Sequence, residues 1–180
     1  MKDKICFCLV GKSGTGKSTI AAHAALLLNL NILQSYTTRP KRSEDETGHI
    51  FVTDNEYSNL TNIVAETTFG KYKYCATKEQ IDNADIYIVD KSGIQDIINK
   101  YISKGERQIV VIYIKTNFVI RLLRVIKDDG IIRGIRRLKR DRHKFDNIRQ
   151  YVDYIVTNNR SYADIDNICK KIFQISKYRK

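Results

Sequence analysis

The chain has 180 residues, 42% of them hydrophobic, and carries a net charge of +12. That length suits a single domain with a real core and some insertions. No stretch approaches the ~18 consecutive apolar residues of a membrane span, and Met1 to Lys4 runs into an apolar stretch too short for an export signal, so a cytoplasmic chain without a membrane partner is expected.

Ile5 to Val10 is a continuous apolar run, the pattern of a parallel strand covered on both faces. Gly11-Lys12-Ser13-Gly14-Thr15-Gly16-Lys17-Ser18 follows and meets the pattern G-x-x-x-x-G-K-[ST], and Ser18 to Leu28 reads as an Ala-rich helix. Strand, glycine loop and helix in that order give a phosphate-binding loop its structural context. Glycines let backbone N–H groups curl around phosphate oxygens, and the helix N-terminus adds partial positive charge. Lys17 then reaches the β- and γ-phosphates of a nucleoside triphosphate, and the Ser18 hydroxyl is a Mg²⁺ ligand. Such a loop implies a triphosphate without choosing the reaction.

Residues 31–90 have a different texture. Ile32-Leu33 reads as a brief strand, and Gln34 to Gly48 as a polar loop holding the chain's one proline, Pro40. Ile50 to Thr53, Ile63 to Glu66 and Lys71 to Ala76 are short and β-like, with a small helix after Asp54. The pattern predicts an insertion built on short antiparallel strands. Arg39 and Arg42, three apart, are two forked guanidiniums able to clamp one phosphate.

Ile86 to Val89 returns to a buried parallel strand ending at Asp90. Ile94 to Ile102 reads as a helix closed by Gly105. Gln108 to Ile114 is a strand, Phe118 to Ile126 a helix broken near Asp128-Asp129-Gly130, and Ile131 to Ile148 a second, very basic helix. Tyr154 to Val156 is a last strand and Ala163 to Ile175 a last helix. Strands alternating with helices argue for an α/β fold around a mainly parallel sheet. Cys6, Cys8, Cys75 and Cys169 show no CxxC or Cys/His spacing and read as reduced, packed thiols. The positive charge concentrates in residues 104–149, with 14 Lys/Arg against 5 Asp/Glu, which suits polyanionic partners.

Ser35-x-Thr37-Thr38-Arg39-Pro40-x-Arg42, then Gly48-His49-Ile50-Phe51-Val52, then Glu66 and Tyr74, resembles the GMP-binding region of guanylate kinases. With the glycine loop, the resemblance covers the first half of the chain well. The second half matches more loosely, through Asp90-x-x-Gly93, Arg121-x-x-Arg124, Arg137-Leu138 and Val156-x-Asn158.

The resemblance implies a three-layer P-loop sandwich with a small mixed β insertion at about 34–83 and a helical lid at about 126–149, the core being 1–33, 84–125 and 150–180. It implies transfer of a phosphoryl group from ATP to GMP, with Mg²⁺, by a monomer or homodimer. ATP would be held by Gly11, Ser13, Gly14, Thr15, Gly16, Lys17, Ser18, Thr19 and Asn158. Arg39, Arg42 and Tyr74 would hold the GMP phosphate, and Ser35 and Glu66 would read the guanine edge, where a carboxylate can accept from both the N1 and N2 hydrogens. Lys17 and the lid arginines Arg124 and Arg137 would be catalytic, with Arg133 and Arg136 as neighbours able to substitute. His49, Thr77 and Asp90 would complete the GMP site, and Asp90 would also orient Mg²⁺ or its waters and cap the helix that follows.

The chain departs from the family in the acceptor half. His49 stands where the family has a second phosphate-binding tyrosine. Tyr74-Cys75-Ala76 replaces Tyr-Gly-Ser/Thr, leaving Thr77 to supply the hydroxyl, and Ile88-x-Asp90 keeps one aspartate of two. Lys139, Arg140, Arg142 and Lys144 exceed what a lid needs and read as a solvated face, or more remotely as a nucleic-acid contact of the basic 131–149 helix. Alternatives are a kinase of the same fold with another phosphorylated acceptor and a non-catalytic guanylate-kinase-like binding module.

Overall fold

A computed structural model describes residues 5–102, 107–159 and 162–178. The closing role read for Gly105 therefore lies outside the described residues. Strand β1 (Ile5–Val10) is buried at every position because it lies inside a four-stranded parallel sheet of order β6-β1-β7-β8. Its neighbours are β6 (Ile86–Ile88), β7 (Gln108–Lys115) and, beyond β7, β8 (Tyr154–Thr157). The brief strand expected at Ile32-Leu33 is a single parallel bridge from Ile32 to Ile86.

Successive side chains of a strand face opposite sides, and β1 feeds two cores accordingly. Cys6, Cys8 and Val10 pack with Ile94 and Ile97 of α4 (Lys91–Lys100). Ile5, Phe7 and Leu9 pack with Ile20, Ala21 and Ala24 of α1 (Lys17–Leu28), and with Ile168 and Ile172 of α7 (Tyr162–Tyr178). The result is a three-layer α/β sandwich. Each fully buried aliphatic side chain is worth about 1.5–3 kcal/mol. All four cysteines are free and buried.

A second sheet, of order β3-β2-β5-β4, is mixed. β2 (Ser35–Thr37) runs parallel to β3 (His49–Phe51), whereas β2–β5 and β4–β5 are antiparallel, with β4 at Ile63–Phe69 and β5 at Tyr72–Thr77. The small mixed β insertion that the resemblance implied is present, with the β2–β3 pair as its parallel member beside the short antiparallel strands read from the pattern, and the loop expected from Gln34 is a strand from Ser35. Hydroxyl side chains mask β2 in the sequence. Inside the sheet they are satisfied: Thr37 Oγ1 donates to the Lys73 carbonyl at 3.0 Å, and Ser35 Oγ lies 2.9 Å from His49 Nδ1.

Two short helices flank the mixed sheet, α2 (Asp54–Ser58) and α3 (Lys78–Asn83). Helices α5 (Phe118–Asp129) and α6 (Ile131–Arg140) meet at Gly130. The basic helix expected to reach Ile148 thus ends at Arg140. Residues 141–147 turn back toward the glycine loop, and a 3₁₀ turn covers Ile148–Tyr151. Side-chain bonds from Lys12 to the Arg142 carbonyl and from Lys91 to the Asp146 carbonyl hold the turn there, while Phe145 and Ile148 are buried. Among the described residues no helix is long and apolar enough to cross a membrane.

Candidate active site

The glycine loop joins the C-terminal end of β1 to the start of α1. Gly14 and Gly16 have φ of 75° and 86°, in the left-handed region where a side chain strains the backbone. No side chain caps α1, which leaves its first-turn N–H groups for an anionic ligand. Lys17 Nζ folds over the loop and donates to the carbonyls of Gly11 at 2.7 Å and Lys12 at 3.2 Å. Desolvation at the cavity floor pushes the Lys17 ammonium down to about 8, against the opposing pull of Asp141.

A cavity of about 550 Å³ opens from this loop. Gly11, Ser13, Lys17 and Ser18 of the loop side line it, together with Ser35, Arg39, Arg42, His49, Glu66 and Tyr74 of the mixed-sheet side and Asp90 at the start of α4. Helix α6 contributes Arg133, Arg136, Arg137 and Arg140, spaced so that one helical face carries all four. With Lys17, Arg39, Arg42 and Lys144, eight cations face four carboxylates, Glu66, Asp90, Asp129 and Asp141. A surplus of that sign concentrates phosphorylated ligands.

The mixed-sheet side is built from side chains already partnered within the chain. Arg39 is buried; its Nη1 and Nη2 form a fork on Glu46 at 3.1 and 2.7 Å, and its Nε donates to the Tyr74 hydroxyl at 3.1 Å. The Arg42 amide donates to the same carboxylate at 2.6 Å. The Arg39 fork, followed by that amide, holds the Glu46 carboxyl down to about 2. His49 packs edge-on against Tyr74, ring centroids 5.6 Å apart, and burial followed by the Arg39 charge lowers its pKa, so its link to Ser35 is one between neutral groups at pH 7. The exposed Glu66 carboxylate accepts from the Tyr57 hydroxyl at 2.8 Å.

Asp90 caps α4 by accepting from the Gly93 amide at 2.9 Å, and accepts from Ser92 at 2.9 Å and Thr67 at 3.0 Å. Lys144 Nζ lies 2.6 Å from Oδ2, the oxygen that Thr67 also reaches, while Gly93 and Ser92 share Oδ1. Burial opposes the charge on Asp90, but Lys144 and the Gly93 amide hold its pKa below the ordinary value.

Several residues read from the sequence sit away from the cavity. Thr77 is the buried N-cap of α3, accepting from the Gln80 amide while Gln80 reaches back, so its hydroxyl serves the helix. Asn158 is buried behind the glycine loop, where its Nδ2 donates to the Thr15 carbonyl at 2.8 Å. Thr15, itself buried, bonds the Lys12 carbonyl. Arg124 lies on the same outer side, 3.4 Å from the Gly14 carbonyl and 3.5 Å from that of Asn158. Gly14, Gly16 and Thr19 belong to the loop and the first turn of α1 without lining the cavity.

Conversely, Arg140 and Lys144, read as a solvated face, line the cavity and lie over the Phe69 ring at 5.3 and 3.9 Å from its centroid. The sequence offered no sign of Glu46 as the partner of Arg39. Asp141 had one faint signal, a lone carboxylate within Lys139-Arg140-Asp141-Arg142.

No protein-family model matches the chain, and no curated protein matches it in sequence. Solved structures do match in fold. The crystal structure of guanylate kinase from Anaplasma phagocytophilum superposes with a TM-score of 0.66 at 18% identity, covering 97% of this chain and 85% of that one. A gluconokinase from Sinorhizobium meliloti 1021 gives 0.56 at 13% identity, covering 98% and 96%. Shikimate kinase from Acinetobacter baumannii in complex with shikimate gives 0.50 at 20% identity, covering 97% and 94%. The chain has the fold of P-loop kinases. Each match takes in 97% or 98% of this chain.

Proposed function

We propose that the chain transfers the γ-phosphoryl group of ATP to a nucleoside monophosphate, with GMP as acceptor, giving ADP and GDP. The observation that carries this reading is the continuity of the cavity: Lys17 and Ser18 line it from the loop side, and Arg39, Arg42, Tyr74, Ser35 and Glu66 from the mixed-sheet side. A transferable phosphoryl group and an acceptor phosphate can meet within it.

An oxygen of the GMP phosphate attacks the γ-phosphorus, the new O–P bond forms, and the bond to the β,γ-bridging oxygen breaks to release ADP. The attacking oxygen is already anionic, so no protein base is needed. Positioning and charge neutralisation supply the rate. Lys17 grips the β- and γ-phosphates, and Arg133, Arg136 and Arg137 face the transferred group. Mg²⁺ would neutralise phosphate charge and polarise the group transferred. Its protein ligand would be the Ser18 hydroxyl, a fitting minimal contribution for an ion held mostly by phosphates and waters. Asp90 fits it less well, since both of its oxygens are already engaged. The four free thiols accord with a reducing, cytoplasmic setting.

A second reading, a kinase of the same fold acting on a phosphorylated non-nucleotide, draws on one observation. Both groups assigned to the base edge are satisfied internally, Ser35 by His49 and Glu66 by Tyr57. A panel of GMP, dGMP, AMP, CMP, UMP and sugar phosphates, each supplied with ATP and Mg²⁺, separates the two. GDP formation is expected with GMP. Turnover restricted to a sugar phosphate would replace this reading with the second, and no turnover at all would remove both.

A further inference from the structure

The glycine loop carries a carboxylate of the chain itself. The amide of Ser13, a loop residue that lines the cavity, donates to Asp141 Oδ2. Asp141 is buried at 5% exposure, and Arg121 Nη2 lies 3.8 Å from the same oxygen. Arg121 is buried too, and its Nε donates to the Ser13 carbonyl at 2.8 Å, so the Ser13 residue is gripped on both of its polar backbone groups. Asp141 also terminates α6, and α6 is the helix that presents Arg133, Arg136, Arg137 and Arg140 to the cavity.

A carboxylate gains nothing from that end of a helix. The C-terminus of a helix carries partial negative charge, so an acidic residue there is unfavourable. The partners that compensate Asp141 are the amide and the guanidinium at the glycine loop. An anion therefore sits where a triphosphate oxygen would, since a loop of this kind binds phosphate through backbone N–H groups. One N–H serves one acceptor well, and two anions on the same amide repel. The segment that follows is tied down on both flanks, by Lys12 to the Arg142 carbonyl, by Lys144 to Asp90 at 2.6 Å, and by Lys144 lying 3.9 Å over the Phe69 ring.

We propose that Asp141 is an intramolecular competitor for the phosphate loop: ATP must displace its carboxylate, and displacement frees the strap of residues 141–147 together with the arginine face of α6. The inference rests on the donor half of the function proposed above, that the loop takes a triphosphate, and not on the acceptor. Triphosphate entry and lid release are then one event. Before ATP arrives Asp141 holds the Ser13 amide, and after it the four arginines can settle on the transferred group.

The test compares wild type with Asp141→Asn, which keeps the shape and an acceptor oxygen but removes the charge. Calorimetric titration with MgATP alone, without any acceptor, should give a dissociation constant roughly 5- to 150-fold tighter for the variant, the usual span of a coupling between two binding events. In the ligand-free variant the Ser13 amide should exchange its hydrogen faster than in wild type, a change that a merely structural tie elsewhere would not produce. If the variant does not fold, wild type alone decides: MgATP should speed amide exchange across 141–147. ATP binding that is unchanged or weaker in the variant, or a strap that is more protected with ATP, overturns the proposal while leaving the kinase reading in place. No ATP binding by either protein overturns both, and failure of the acceptor panel touches only the function.

Discussion

The two ends of the cavity are built by different means. The donor end is backbone: a loop of eight consecutive residues, two of them glycines with positive φ, laid on the end of a fully buried strand. The acceptor end is side chain: Ser35, Arg39, His49, Glu66 and Tyr74 come from four strands of a mixed sheet and the loops between them, and each is tied to a partner in the chain. A backbone site survives most substitutions in its x positions. A side-chain site changes specificity with one of them, because a buried polar group that loses its partner costs about 1–3 kcal/mol. Under the proposed function, the donor end fixes the chemistry and the acceptor end sets which molecule receives the phosphoryl group.

The largest break is expected at the donor end. Lys17→Ala removes the ammonium from the triphosphate site and should lower kcat by on the order of 10²–10³, with circular dichroism and melting temperature unchanged, in a steady-state assay with ATP and GMP. Next comes the acceptor end. Glu66→Gln keeps the shape but loses the charge that accepts from guanine, and should raise the KM for GMP by roughly 10- to 100-fold. ATP affinity, measured separately by calorimetry, should stay within about twofold. Equal losses for both nucleotides would remove Glu66 from the base site.

A smaller effect is expected where the two ends meet. Phe69→Ala takes away the ring beneath Arg140 and Lys144; such contacts are worth about 0.5–2 kcal/mol. Limited proteolysis should cut near residues 139–147 several-fold faster in the ligand-free variant, and an unchanged rate would dismiss the ring as a latch. The smallest signal is a proton. Lys17 is held down to about 8 in the ligand-free protein, and triphosphate charge beside it must raise that value. ATP binding near pH 9 should therefore take up a fraction of a proton that fades below pH 8, where Lys17 is charged in both states. Calorimetry in buffers of different ionisation enthalpy measures it.

What was legible in the sequence follows the same division. β1, the glycine loop and α1 are contiguous, and their periodicity and glycine spacing carry the whole geometry. The three-layer fold was legible too, because apolar runs such as Gln108 to Ile114 mark buried parallel strands. β2 was not, because Ser35 and Thr37 read as loop residues until the Lys73 carbonyl and His49 are placed beside them. Helix α3 carried a signal that a second purpose obscured. Thr77-Lys78-Glu79-Gln80 is a capping box, whereas the resemblance cast Thr77 as a substrate hydroxyl. The end of α6 was unreadable from local pattern, since what stops the helix at Arg140 is a set of contacts with Lys12, Ser13 and Lys91, about 55 to 130 residues away. Partners so distant leave no periodic trace.

The proposed function stands on one cavity holding the donor and acceptor phosphates together. The most direct test is the affinity of a bisubstrate compound, adenosine and guanosine joined 5′ to 5′ through a polyphosphate chain, compared with ATP and GMP titrated separately. Joining the two turns the second binding event into an intramolecular one, so the dissociation constant should fall at least about tenfold below that of either nucleotide alone, with the gain lost in Glu66→Gln. A compound that binds no tighter than ATP, or equally well in that variant, would contradict a shared cavity with a guanine-reading end.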